Sequence, residues 1–286
     1  MKNMKTVTAM NRRHFLHTSV LASAALAAAP ASRLAAAADA DADRGLKLGI
    51  ASYSLRMFSL DQAIAMTREA GVKYITLKDV HLPLKSTTAE RKEAHRKIEA
   101  AGLVLMGGGV ISMRNNEDGL VRIFEYAKDA GMPTIVCSPE PAALDTMEKL
   151  VKQYDIRIAI HNHGPTDKLY PSPLDALKLV QDRDARMGLC MDLGHSVRIG
   201  ENAVEVIQRC GRRLLDFHIK DVNGTTAKGR AVLIGKGIID MTAVLKTLRA
   251  IKFAGHVALE HEINPDAPLP GIKESFVQLR KILATL

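Results

Sequence analysis

Arg157-Ile-Ala-Ile-His161-Asn-His163, Met187-Gly-Leu-Cys-Met-Asp192-Leu-Gly-His195, Leu214-Leu-Asp-Phe-His218-Ile-Lys220-Asp221 and His256-Val-Ala-Leu-Glu260-His-Glu262 are four short apolar runs. Each has the length of a buried strand, and each ends in a His, Asp or Glu. Parallel strands closed into a barrel bring their C-terminal ends into one cleft, where such barrels carry their chemistry. Imidazole and carboxylate donors gathered there suit a divalent ion of transition type.

Four more such runs begin near Leu48, Tyr74, Val104 and Thr134, which makes eight. Helical patterns separate them: Ser59 to Ala70, Thr87 to Ala101, Glu117 to Ala130, Ala142 to Tyr154, Pro173 to Val180, Asn202 to Cys210, Asp240 to Ala250 and Gly271 to Leu286. Gly71, Gly102 and Gly131 stand where helix C-termini favour glycine, and Ser59 stands where a cap is expected. Strict alternation of strand and helix predicts a parallel sheet with helices outside. Eight repeats with no change of pattern predict an α/β fold of the (β/α)8 TIM barrel type. The chain has 286 residues, and such a barrel needs about 250, so one barrel with an N-terminal extension accounts for it. No dinucleotide fingerprint or P-loop is present. Gly107-Gly108-Gly109 lacks pyrophosphate spacing and reads as room for a ligand to approach the backbone, or as a flexible loop.

The extension reads as residues 1–38, with the barrel over 39–286. Asn11-Arg12-Arg13-His14-Phe15-Leu16 carries a twin arginine, an apolar run extends from Val20 to Ala29, and Ala36-Ala37-Ala38 offers small residues for cleavage. This is the layout of a Tat export signal, and it predicts a periplasmic or exported protein that meets the Tat machinery. The apolar run is too short to span a membrane. The first 38 residues hold five basic side chains and no acidic one, so their removal takes the net charge from +9 to +4. With aromatics at 4% and no Trp, neither charge nor stacking surface favours nucleic acid. Cys137, Cys190 and Cys210 form no paired motif and read as buried structural thiols.

The strongest constellation is Asp192-x-x-His195 with His218, 26 residues after that Asp. Asp192 and His218 end neighbouring strands, His161 ends the fifth and Glu260 the eighth. Strand alternation points all four into the barrel mouth. A single strand-end His is ordinarily a satisfied hydrogen-bonder. Four ligand-type ends on consecutive strands favour a metal set of His161, Asp192, His218 and Glu260.

These residues resemble the xylose isomerase-like barrels, the sugar phosphate isomerase/epimerase superfamily. The likeness runs from Gly45 to Leu286 and includes His218-Ile-Lys220-Asp221 and Gly235-Lys-Gly237. It implies a divalent ion (Mn, Co, Mg or Zn) held by strands five to eight, and a sugar or glycoside as substrate. Members of this family also self-associate, though no surface stripe here shows it. One departure stands out. Epimerases of this kind place a Glu on strand five as ligand and acid/base, where this chain has His161. The implied chemistry is therefore metal-assisted enolisation of a keto sugar more than epimerisation itself.

His163 and Glu260 are the candidate bases. Lys78, leaving strand two, could polarise a carbonyl, and His81, His195 and Lys220 are candidate substrate contacts. Glu262 could replace Glu260 as ligand, Glu140 could reach the mouth, and Arg230 could clamp an anion. Asp79 and Asp221 are expected to orient basic neighbours. Three functions compete. The first is an exported isomerase or epimerase. The second is a lyase or hydratase cleaving a 3-ketoglycoside by β-elimination. The third is a non-catalytic periplasmic sugar-binding protein. A nuclease is disfavoured by charge and by scarce aromatics.

Overall fold

A computed structural model describes residues 43–286. The twin-arginine segment, its apolar run and Ala36–Ala38 lie outside the described residues. The eight strands are β1 (Lys47–Ala51), β2 (Tyr74–Leu77), β3 (Val104–Met113), β4 (Thr134–Pro139), β5 (Arg157–His161), β6 (Met187–Asp192), β7 (Leu214–Ile219) and β10 (His256–Leu259), and they close in the order β1-β10-β7-β6-β5-β4-β3-β2. Every pairing in the barrel is parallel, including the closing contact of Leu48 with Val257. The expected strand starts and the closed (β/α)8 architecture are therefore observed. A two-stranded antiparallel ribbon, β8 (Asp221–Val222) with β9 (Ala231–Val232), was not expected from the sequence. Its strands are too short to leave a periodic pattern.

Local chemistry explains the segmentation. Ser59 accepts from the Gln62 amide while Gln62 Oε1 accepts from the Ser59 amide, a reciprocal cap that starts the helix Leu60–Glu69. Asp61, in the first turn, instead pairs with Lys97 of the next helix. Gly71, Gly102 and Gly131 have φ of +72°, +74° and +68°. A Cβ would be strained at each, so each ends its helix cleanly. The helix Glu117–Asp129 buries Leu120, Phe124 and Ala127 at helical spacing against the sheet. β6 is buried along its whole length, as expected for a strand covered on both faces. Cys137, Cys190 and Cys210 are all buried and free. Among the described residues no helix is long and apolar enough to cross a membrane.

Register sets the height of the site. Asp192 of β6 pairs with His218 of β7, and His218 pairs with Ala258 of β10, two residues before Glu260. His161 pairs with Cys190, two residues before Asp192. Because side chains alternate along a strand, 190 and 192 share a face, as do 216, 218 and 220.

Candidate metal centre and barrel mouth

The four expected ligands meet. One donor atom each from His161, Asp192, His218 and Glu260 lies within 4.8 Å of the other three. All four residues are buried. His161 Nε2 lies 3.0 Å from His218 Nδ1 and 3.7 Å from Asp192 Oδ2, and His218 Nδ1 lies 3.5 Å from Glu260 Oε1. Two imidazole nitrogens facing one another can share only one proton between them, whereas a cation between them would use a lone pair from each.

Lys220 completes the cluster. Its ammonium donates to Glu260 Oε2 at 2.6 Å and to Glu262 Oε1 at 2.9 Å, and lies 3.0 Å from Asp192 Oδ2. That last contact is not aligned as a hydrogen bond, so Asp192 Oδ2 is buried with no hydrogen-bond partner. Three carboxylates against one ammonium leave a formal excess of two negative charges, which a divalent ion would balance. Burial alone would lower the Lys220 pKa, but Asp192, Glu260 and Glu262 outweigh it and hold it well above its ordinary value. Burial likewise opposes ionisation of Glu260, yet Lys220 and His218 keep its pKa well below the usual range. Burial, with His218 and His163 nearby, drives His161 well below the usual histidine range. It is thus a neutral imidazole, the form that binds a metal. His218 is raised, because Glu260, Asp216 and Asp192 outweigh the burial that opposes its charge. The donor set, the unbonded Asp192 oxygen and the charge excess all fit a divalent cation.

A neighbouring side chain, not singled out from the sequence, positions Asp192. Asn162 Oδ1 accepts from the Asp192 amide at 2.8 Å, while its Nδ2 donates to Ser196 Oγ at 3.2 Å. Asp192 Oδ1 in turn caps the short helix Leu193–Val197 through the His195 amide at 2.8 Å. An amide side chain at the end of an apolar strand was the available clue.

A cavity of about 280 Å³ opens above the cluster, and its walls include Ser52, Tyr53, Lys78, Gly109, His163, His195 and Glu262. Lys78 donates to Val110 O at 3.1 Å and lies 3.5 Å from Asp79, so Asp79 does orient a basic neighbour. The His163 ring lies 4.5 Å from that of His161, tilted by 50°, and pairs with Asp167 at 3.1 Å. Of the triple glycine, Gly109 borders the cavity; a Cβ there would meet Val136 O at 2.0 Å, so the close approach is to the neighbouring strand.

Other candidates stand elsewhere. His81 does not border this cavity. It is buried, with Nδ1 2.8 Å from Ser52 Oγ and Nε2 3.2 Å from Leu55 O, so both ring nitrogens are spent on packing the β1 loop. Glu140 accepts from the Asn115 amide at 2.9 Å, and Arg230 is exposed on the ribbon. Asp221 gathers the amides of Val222, Gly235 and Gly237 at 2.9 to 3.0 Å, tying down the following loop instead of a basic side chain.

Below the ligands, Asp216 is buried and its carboxyl is pushed up to about 6 by desolvation. The folded state therefore holds this proton more tightly than the unfolded chain does. The stabilising contribution of this one group is full below the ordinary aspartate value and is lost as pH rises towards 6, by on the order of 3 kcal/mol. Asp216→Asn should accordingly unfold at higher urea than the wild type at neutral pH and match it in acid. Equal midpoints at neutral pH would contradict this.

The fold and this cluster define a (β/α)8 barrel with a mixed imidazole–carboxylate centre at the C-terminal mouth. The chain belongs to the xylose isomerase-like TIM barrel family, whose model matches residues 59–282. An inosose dehydratase of Clostridium botulinum is 27% identical over 143 residues, covering 44% of this chain and 47% of that protein. The matched region thus spans about half the length of such curated relatives. An uncharacterized protein of Parabacteroides distasonis superposes with a TM-score of 0.66 at 24% identity, covering 82% of this chain and 98% of that one. The 3-keto-D-glucoside 4-epimerase of E. coli gives 0.67 at 17%, covering 82% and 99%.

Proposed function

We propose that the protein is a divalent-metal-dependent enzyme that removes a proton next to the carbonyl of a keto sugar. The observation that carries this reading is the convergence of His161, Asp192, His218 and Glu260 beneath a cavity whose walls include Lys78, His163 and His195. At about 280 Å³ the cavity is close to the small end of ligand pockets, roughly 300–1,000 Å³, which suits a monosaccharide-sized molecule. A bound divalent ion would supply Lewis-acid stabilisation of the negative charge that develops on the substrate oxygen. His161, Asp192, His218 and Glu260 would hold that ion. Lys220 is buried, spends two of its three donors on Glu260 and Glu262 and faces Asp192 with the third contact, so we assign it to positioning these carboxylates, not to contacting substrate. By holding Glu260 ionised, it also makes that carboxylate a weak base. We therefore assign the proton transfer to His163, which faces the cavity and is oriented by Asp167. Lys78 and His195 are placed to bind substrate hydroxyls.

The fate of the enolate distinguishes two readings. Return of the proton gives isomerisation or epimerisation; loss of a β-substituent gives a dehydratase or a 3-ketoglycoside lyase. Both carboxylates bordering the cavity, Glu260 and Glu262, come from one strand end. Among the described residues no other carboxylate borders the cavity to exchange a proton between two faces of a substrate, which favours elimination. The partial likeness to inosose dehydratases supports the same direction. Metal-loaded protein incubated in heavy water with 3-keto glucosides should place deuterium beside the ketone. Release of an alcohol or water would identify elimination, and exchange alone isomerisation. No metal-dependent exchange across keto sugars would contradict the proposal.

We also infer export by the Tat route, which would favour unphosphorylated substrates. Replacing Arg12-Arg13 by Lys-Lys should retain the protein in the cytoplasm; unchanged secretion would overturn this inference.

A further inference from the structure

Beneath the mouth lies a layer of reactive groups that the proposed chemistry leaves unused. Cys190 is fully buried on β6 and pairs in register with His161. Its thiol donates to Asp216 Oδ1 at 3.6 Å, and the same oxygen lies 4.0 Å from His218 Nε2. The Cys190 sulfur and one ring nitrogen each from His161 and His218 lie within 4.8 Å of one another. Two buried imidazole nitrogens, His161 Nδ1 and His218 Nε2, have no hydrogen-bond partner among the described residues. Buried nitrogens of this kind ordinarily have one.

His161 and His218 therefore belong to two donor sets, one with the hard carboxylates Asp192 and Glu260 and one with the Cys190 sulfur. Thiolate with imidazole selects soft and borderline ions such as Zn, Cd or Cu(I) over Mg or Mn. We propose that Cys190, with His161 and His218, forms an inner site for a thiophilic cation, and that filling it excludes the ion of the outer set. Binding breaks the S–H bond of Cys190 and forms a metal–sulfur bond. The proton passes to Asp216 Oδ1, already the hydrogen-bond acceptor of that thiol, so no oxidant or reductant is required. Asp192 and Glu260 retain Lys220 as their counter-ion. Two dications sharing a pair of imidazoles would repel strongly in a buried setting, which makes the two occupancies alternatives. Only this exclusion rests on the metal-dependent enzyme reading; the inner site stands on its own donors.

The experiment uses the full chain freed of metal by a chelator, with Cd2+ as the thiophilic probe and Mn2+ as the hard one. Cd2+ should raise an ultraviolet thiolate-to-cadmium charge-transfer band with one equivalent per chain and release bound Mn2+, read by paramagnetic resonance. Cys190→Ser and Cys190→Ala should each lose the band and keep Mn2+ affinity; the alanine variant serves where the serine variant fails to fold. Asp192→Asn should lose Mn2+ and keep the band. No band in the wild type would overturn the inner site. A band undiminished in both Cys190 variants would also overturn it, since Cys137 or Cys210 would then be the source. A band in a wild type that binds no Mn2+ would support the inner site and remove the outer one.

Discussion

Lys220→Met is expected to destabilise the metal-free barrel by about 3–5 kcal/mol, the range for removing one partner from a buried ion cluster. Among the described residues Lys220 is the sole ammonium paired with Asp192, Glu260 and Glu262, at 3.0, 2.6 and 2.9 Å. Methionine keeps much of the volume and none of the charge, so the loss reports uncompensated carboxylates more than a cavity. Saturating Mn2+ should return more stability to the variant than it adds to the wild type, because the incoming ion no longer competes with an ammonium for Asp192 Oδ2. Ligand linkage alone gives about 4 kcal/mol at a thousandfold excess over Kd. Urea unfolding with and without Mn2+ measures both. Equal metal-free stability of variant and wild type would show that Lys220 does not hold the cluster together.

Asp192→Asn and His218→Ala should each weaken Mn2+ binding by more than about 100-fold. Removing groups that merely support a ligand costs about 10–100-fold, and in the proposed site these are direct donors. Calorimetric titration reads the affinity, and circular dichroism should show the barrel intact. His218→Ala also relieves the attraction between His218 and the carboxylates that raises its pKa, so some loss of stability is expected alongside. Retained affinity in both variants would place the ion elsewhere.

The strand runs were legible because both faces of each strand are covered, which leaves uninterrupted apolar stretches such as Met187–Met191. Barrel closure was implied by eight such runs with capped helices between them. The quartet His161, Asp192, His218 and Glu260 was legible because each member stands at a strand end with the inward parity. Height along the barrel axis was not legible, since it depends on register shifts such as that between Leu189 and Cys190. Parity alone would have placed Asp216 and Cys190 on the ligand face, but not one layer below it. The sequence suggests Lys220 as a substrate contact, because its distance from three carboxylates on other strands is a tertiary fact. His81 misled for a similar reason: a polar residue leaving a strand end suggests the mouth, whereas here the β1 loop folds over it and takes both ring nitrogens. Asp221 looked like a partner for a basic group, yet the loop through Gly235 and Gly237 brings backbone amides to it first.

Whether four strand ends share one cation is decided by anomalous diffraction from crystals grown with Mn2+. A single strong peak is expected within coordination distance of His161, Asp192, His218 and Glu260. No peak among those four side chains at saturating Mn2+, or a peak held by other residues, would refute the shared site.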